Sequence, residues 1–176
     1  MKILALCGSL RKQSRSLALL QATANLAGNQ FDFSIFDGLG DLPLFNPDIE
    51  ASASVPPTVH RLWEAVNWSD AIIIASPEYA HGVTGTIKNA LDWLVAYVPF
   101  TNKPVAAFNP SHRASIADEA LREILSTMNA HLITAACLRI PVTNCQLSAE
   151  DIASSDSHKE QILTALTAIS AIFEHK

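Results

Sequence analysis

Short apolar runs alternate with segments of helical period along this chain, and no other feature restricts its fold as much. The runs are Ile3–Cys7, Ala71–Ala75, Val105–Phe108 and Ile133–Leu138. Strands this apolar must be covered on both faces, as in a parallel sheet buried between helices. The segment Phe31–Phe36 alternates apolar and polar residues instead, which suits a strand at the sheet edge. Between the runs, Leu17, Leu20, Ala24 and Ala27 fall on one helix face. So do Ile87, Ala90, Leu91, Leu94 and Val95, and later Ala117, Ala120, Leu121, Ile124, Leu125 and Met128. Pro57–Trp68, opened by proline, and His158–Phe173 complete the set. The reading is one α/β domain over residues 1–176, with five strands and five helices in alternation.

Right-handed crossovers leave few topologies for such a chain. The strand order 2-1-3-4-5, that of the flavodoxin-like three-layer fold with helices on both faces of a five-stranded parallel sheet, suits 176 residues better than a six-stranded dinucleotide fold. Ligands in such sheets bind beyond the carboxyl ends of the strands. Three loops are therefore expected to carry function: Gly8–Ser16, Ser76–Gly82 and Asn109–Ala114. Gly38–Pro56 reads as a long connection within the domain.

Charge and cysteine usage narrow the function class. A net charge of −5 argues against a nucleic-acid or anionic-membrane surface, and the Arg11, Lys12, Arg15 cluster suffices for one phosphate only. The apolar opening Met1–Cys7 is too short for a secretory segment, and no stretch approaches the roughly 20 apolar residues of a membrane helix. Cys7, Cys137 and Cys145 are odd in number and lack CxxC spacing, which points to a reducing compartment, the cytoplasm. None of the six histidines has a metal-ligand spacing, so no metal site is expected.

The first loop follows a buried strand and opens a helix, so free N–H groups and the positive end of a helix dipole converge there. Ser9, Ser14 and Ser16 add hydroxyls and Arg11 a planar fork for phosphate; alternatively Ser14 or Ser16 caps the helix. A Walker loop is excluded because no Gly-Lys pair follows Gly8. The GxGxxG fingerprint fails at Leu10 and Gln13, and a CxxxxxR phosphatase loop fails because Gln13 stands six after Cys7. In the second loop Pro77 and Gly82 shape a turn, Tyr79 offers a flat face to an aromatic ligand, and backbone N–H groups can reach ring heteroatoms. Glu78 and Asp92 stand on different elements and do not form a catalytic acid pair, and no catalytic residue is assigned. Trp63, Trp68 and Trp93 read as core or interface anchors.

Together, the motif Gly8-Ser9-Leu10-Arg11-x-x-Ser14 and the eighteen residues Ser76–Trp93 resemble the NADPH-dependent FMN reductase family, which includes chromate, quinone and azo-dye reductases. The resemblance implies a flavodoxin-like subunit, paired or tetrameric as a homodimer or homotetramer, with FMN held non-covalently. It implies NADPH or NADH as co-substrate and a small-molecule electron acceptor. Ser9, Arg11, Ser14 and Ser16 match the phosphate loop, Ser16 standing where many members have Asn. Pro77, Glu78, Tyr79, Ala80 and Gly82 match the turn along the isoalloxazine ring, with His81 where other branches have Tyr. Asn109 and Ser111 belong to a third loop, Asn109–Arg113, that lacks the paired glycines of many members. A flavodoxin-like one-electron carrier is the alternative, and a flavin-free signalling or scaffold domain a further one. Arg11 in the phosphate loop and a charge of only −5 favour the reductase over the carrier.

Overall fold

Successive side chains of a strand point to opposite faces, and a strand with no polar position must be covered twice. The computed structural model, which describes residues 1–52, 54–111, 113–142 and 147–174, meets this requirement with helices on both sides of one parallel sheet. Strands β1 (Lys2–Cys7), β2 (Asp32–Phe36), β3 (Ala71–Ala75) and β4 (Pro104–Asn109) lie in the order β2-β1-β3-β4, with β5 (His131–Leu132) beyond β4. This is the expected 2-1-3-4-5 order, with the alternating strand β2 at the edge. Ile3, Ala5, Ile73, Ala75, Ala106 and Phe108 face α1 (Arg15–Ala27), α6 (Ala149–Ser154) and α7 (Asp156–Glu174). Leu4, Leu6, Ile72, Ile74, Val105 and Ala107 face α3 (Pro57–Trp68), α4 (Gly85–Asp92) and α5 (Ser115–Thr127).

Three expectations need correction. The run Ile133–Leu138 is not one strand: β5 pairs with Pro104 and Val105, a 3-10 turn intervenes at Thr134–Ala136, and β6 (Leu138–Arg139) pairs with Phe108 and Asn109. The break leaves the Ala107 N–H donating to Cys137 Sγ at 3.4 Å rather than to a backbone carbonyl. Interruptions of this kind are tolerated at a sheet margin, where one side of the strand has no ladder to keep. The helical face expected to run on through Leu94 and Val95 stops at Asp92, and the chain continues as turns to Phe100. Trp93 there is fully buried, and its indole N–H donates to the Pro43 carbonyl at 2.9 Å.

The Gly38–Pro56 connection contains the short α2 (Pro47–Glu50), and with α6 this brings the helices to seven among the described residues rather than the expected five. Asn89 of α4 clamps it, accepting from Phe45 N–H and donating to the Pro43 carbonyl. Cys145 lies outside the described residues, while Cys7 and Cys137 are free thiols. Among the described residues no helix is long and apolar enough to cross a membrane.

Candidate functional site

The loops after β1, β3 and β4 meet at the carboxyl end of the sheet and enclose a cleft of about 320 Å³. Gly8 brings the first two together, because a Cβ there would lie 2.4 Å from Ser76 Oγ and 2.7 Å from Ile87 Cγ1. Its N–H donates to the Ala75 carbonyl at 2.8 Å. Only hydrogen fits between these loops.

Ser14 is the N-cap of α1, its Oγ accepting from Leu17 N–H at 3.2 Å. The same Oγ lies 3.9 Å from Cys7 Sγ, where either group can donate. Ser16, one residue into the helix, is buried, and its Oγ has no hydrogen-bond partner among the described residues. A buried hydroxyl without a partner is costly unless a ligand completes it. Arg11, Arg15 and Arg113 line the same cleft, and none has a carboxylate partner among the described residues. In a chain of net charge −5, these three guanidiniums give the cleft a positive lining.

The second loop is a two-residue hairpin. Tyr79 and Gly82 exchange both backbone hydrogen bonds, at 3.2 and 3.0 Å, around Ala80 (φ 49°) and His81 (φ 58°). Positive φ at two adjacent non-glycine residues stores strain, as in ligand-holding turns. With the other two N–H groups spent inside the turn, those of Ala80 and His81 remain as donors at its tip. Tyr79 is about half exposed on the cleft wall.

The third loop is held from within. The buried Asn109 donates to the Ala114 carbonyl at 2.7 Å and accepts from Ser111 N–H at 2.9 Å. Ser111 Oγ accepts in turn from Arg113 N–H at 3.2 Å. Behind it, the buried Asp118 carboxylate binds Arg122 and Arg139 at 3.3 and 3.0 Å, tying α5 to β6. At the other end of the first loop, burial pushes the Cys7 thiol above its ordinary range.

Of the residues singled out from the sequence, Ser9, Arg11, Ser14, Ser16, Pro77, Glu78, Tyr79 and Ser111 line the cleft. Ala80, His81 and Gly82 form the hairpin beside it, and Asn109 lies beneath as a brace rather than on the wall. Asp92 pairs with Lys88 on the same helix, clear of Glu78. Gln13, Arg15, Pro110, Arg113 and Ala114 also line the cleft; they lie in loops expected to carry function but were not singled out as binding residues. The basic cluster was the signal for Arg15 and the loop after β4 the signal for Arg113, but only the assembled loops bring the two side chains to one cleft.

A family model, NADPH-dependent FMN reductase, matches residues 1–143. An NAD(P)H-dependent FMN reductase of Pseudomonas aeruginosa is 30% identical over 173 residues, covering 96% of this chain and 92% of the relative. A quinone reductase of Escherichia coli is 32% identical over 107 residues, covering 60% of this chain and 57% of that protein. Among solved structures, the flavoenzyme NAD(P)H:(acceptor) oxidoreductase FerB of Paracoccus denitrificans superposes with a TM-score of 0.78 at 27% identity, covering 99% of this chain and 98% of that one. The strand order, the cleft beyond the carboxyl ends of the strands and these likenesses agree: the chain belongs to the NADPH-dependent FMN reductase family, an oxidoreductase that works with FMN and a reduced nicotinamide nucleotide.

Proposed function

We propose that this chain oxidises NADPH or NADH and reduces a small-molecule acceptor (a flavin, quinone, azo compound or metal oxyanion) in two half-reactions that share one cleft. The observation that carries this reading is the open donor set of the first loop: the buried Ser16 hydroxyl, without a hydrogen-bond partner among the described residues, and the guanidiniums of Arg11 and Arg15, which face no carboxylate among them. These residues fit a phosphate group. Ser9, Arg11, Ser14 and Ser16 would hold the phosphate of FMN, with the α1 N-terminus adding its dipole. Pro77, Tyr79 and the N–H groups of Ala80 and His81 would hold the ring. FMN when bound supplies hydride acceptance and release, so the protein needs no acid-base dyad of its own. What the chain contributes is binding, orientation and a positive potential that attracts anionic nucleotides.

The test is an absorbance titration of purified protein with FMN, followed anaerobically by NADPH and then NADH. Tight FMN binding and loss of the flavin's visible colour with either nucleotide are expected. Initial rates with a quinone should give parallel double-reciprocal lines, because the nicotinamide product leaves before the acceptor enters. Protein that stays colourless with FMN overturns the reading, and negligible NAD(P)H oxidation by a yellow protein favours a one-electron carrier. We place the chain in the cytoplasm as a homodimer or homotetramer, supported by the exposed Val95 and Val98 beside the Trp63–Tyr97 stack. Light scattering that returns a monomer mass overturns the oligomer.

A further inference from the structure

Helix α5 begins without a cap of its own. Ala114 stands at its N-cap position with φ −85° and ψ 67° and has no side chain to offer the first-turn N–H groups. The acceptor comes from a different loop, 39 residues earlier in the chain. Glu78 Oε2 accepts from the Ala117 N–H at 2.8 Å, and Oε1 lies 3.1 Å from His81 Nδ1. Ala117 is the third residue of the helix, the position that an ordinary Ser or Asp cap serves. The Glu78 side chain is only 12% exposed, so its carboxylate is held rather than solvated.

This contact joins two rims of the cleft. The loop after β3, which carries the Tyr79–Gly82 hairpin, and the loop after β4, braced by Asn109, belong to adjacent strands. Among the described residues, Glu78 is the cleft-lining side chain bonded to both the hairpin and α5. It also supports the strained residues at the tip, because His81 is one of the two positive-φ positions and Glu78 is its side-chain partner.

We infer that Glu78 is a positioning residue, a strut that sets the width of the cleft by capping α5 from the opposite rim. The inference rests on the flavin reading of the cleft for its effect on binding, but not for the contact itself. Reach is what a strut requires. Glu78→Asp keeps the charge and loses a methylene, while Glu78→Gln loses the charge and keeps an acceptor oxygen at the same distance.

Three variants of the full chain, Glu78→Ala, Glu78→Asp and Glu78→Gln, test it with two readouts. Amide hydrogen exchange on the apoprotein should quicken at Ala117 and the first turn of α5 in Glu78→Ala and Glu78→Asp, and stay near wild type in Glu78→Gln. Fluorescence titration should show FMN and riboflavin weakened by a common factor, on the order of tenfold, in the first two variants and within about threefold of wild type in the third. A common factor is expected because the phosphate contacts are untouched. The strut is overturned if Glu78→Asp behaves as wild type while Glu78→Gln fails, if only FMN weakens, or if exchange at Ala117 is unchanged throughout. Should Glu78→Ala not fold, the Asp and Gln pair decides alone. Wild-type protein that binds neither flavin defeats the flavin reading, and the exchange data then judge the strut independently.

Discussion

The two sides of the cleft treat their polar groups in opposite ways. On the first loop they are left open: Ser16 Oγ is buried without a partner, and Arg11 and Arg15 face no carboxylate among the described residues. On the second and third loops most are closed upon one another, through Glu78 to Ala117, Asn109 to Ala114, Ser111 to Asn109 and Ser76 to Thr84, and the Arg113 guanidinium and the N–H groups of Ala80 and His81 are the open exceptions among the described residues. An open set gives up folding stability and holds its interactions for a ligand, whereas a closed set spends them on holding shape. Damage to the first side should therefore be read in affinity, and damage to the second in stability and geometry.

The largest expected effect breaks the open side. Arg11→Ala should weaken FMN roughly 10- to 150-fold, the worth of one hydrogen bond to a charged group. Riboflavin, which has the ring without the phosphate, should bind as before, and fluorescence titration of both ligands reads the contrast. Equal losses for the two would place the phosphate elsewhere.

A comparable cost of the other kind is expected at Asn109. Asn109→Ala strands the Ala114 carbonyl and the Ser111 N–H in a buried setting, and should lower unfolding free energy by roughly 1–3 kcal/mol. Denaturant melts of the apoprotein check it. A loss of FMN affinity with no loss of stability would show that the third loop belongs to the open side.

Ser16→Ala separates the two sides within one residue. Removing a buried hydroxyl that has no partner should leave apoprotein stability unchanged or slightly higher. With ligand present it should cost about 1 kcal/mol, or about fivefold in FMN affinity. A destabilised apoprotein would mean that the hydroxyl is satisfied in the free protein after all.

The smallest effect lies beneath the first loop. Burial raises the Cys7 thiol above its unfolded value, so between the two values the folded chain holds a proton that the unfolded chain has lost. Its contribution is fully present below the unfolded value and falls away as pH rises from there through the folded one. Urea midpoints measured from pH 8 upward should decline less steeply in Cys7→Ala than in wild type; identical slopes would refute the assignment.

Much of the scaffold was legible because burial on two faces leaves a pattern that depends only on neighbouring residues. The runs at Ile3, Ala71 and Val105, the helix Pro57–Trp68 and the Ser14 cap all follow from local composition. The fifth strand was misread because an apolar run says nothing of a break in pairing: its small Thr-Ala-Ala centre turns in a way that only the partner strand reveals. In the same way, Pro77, Glu78 and Tyr79 were visible as a loop motif, but nothing nearby indicated that one of them caps a helix.

Local pattern alone was enough for the α/β class, the strand order and, through the motifs, the family. Each rests on periodicity, helix-end chemistry or residue types within a short window. It took the assembled loops to show that Arg113 joins Arg11 and Arg15 in one cleft, that Ser16 is buried with no partner among the described residues, and that Glu78 accepts from the first turn of α5. The reason is physical: solvent exclusion and partner choice arise between segments far apart in the chain. Ala117 finds its acceptor 39 residues away because the sheet sets β3 beside β4, a proximity that no local pattern encodes.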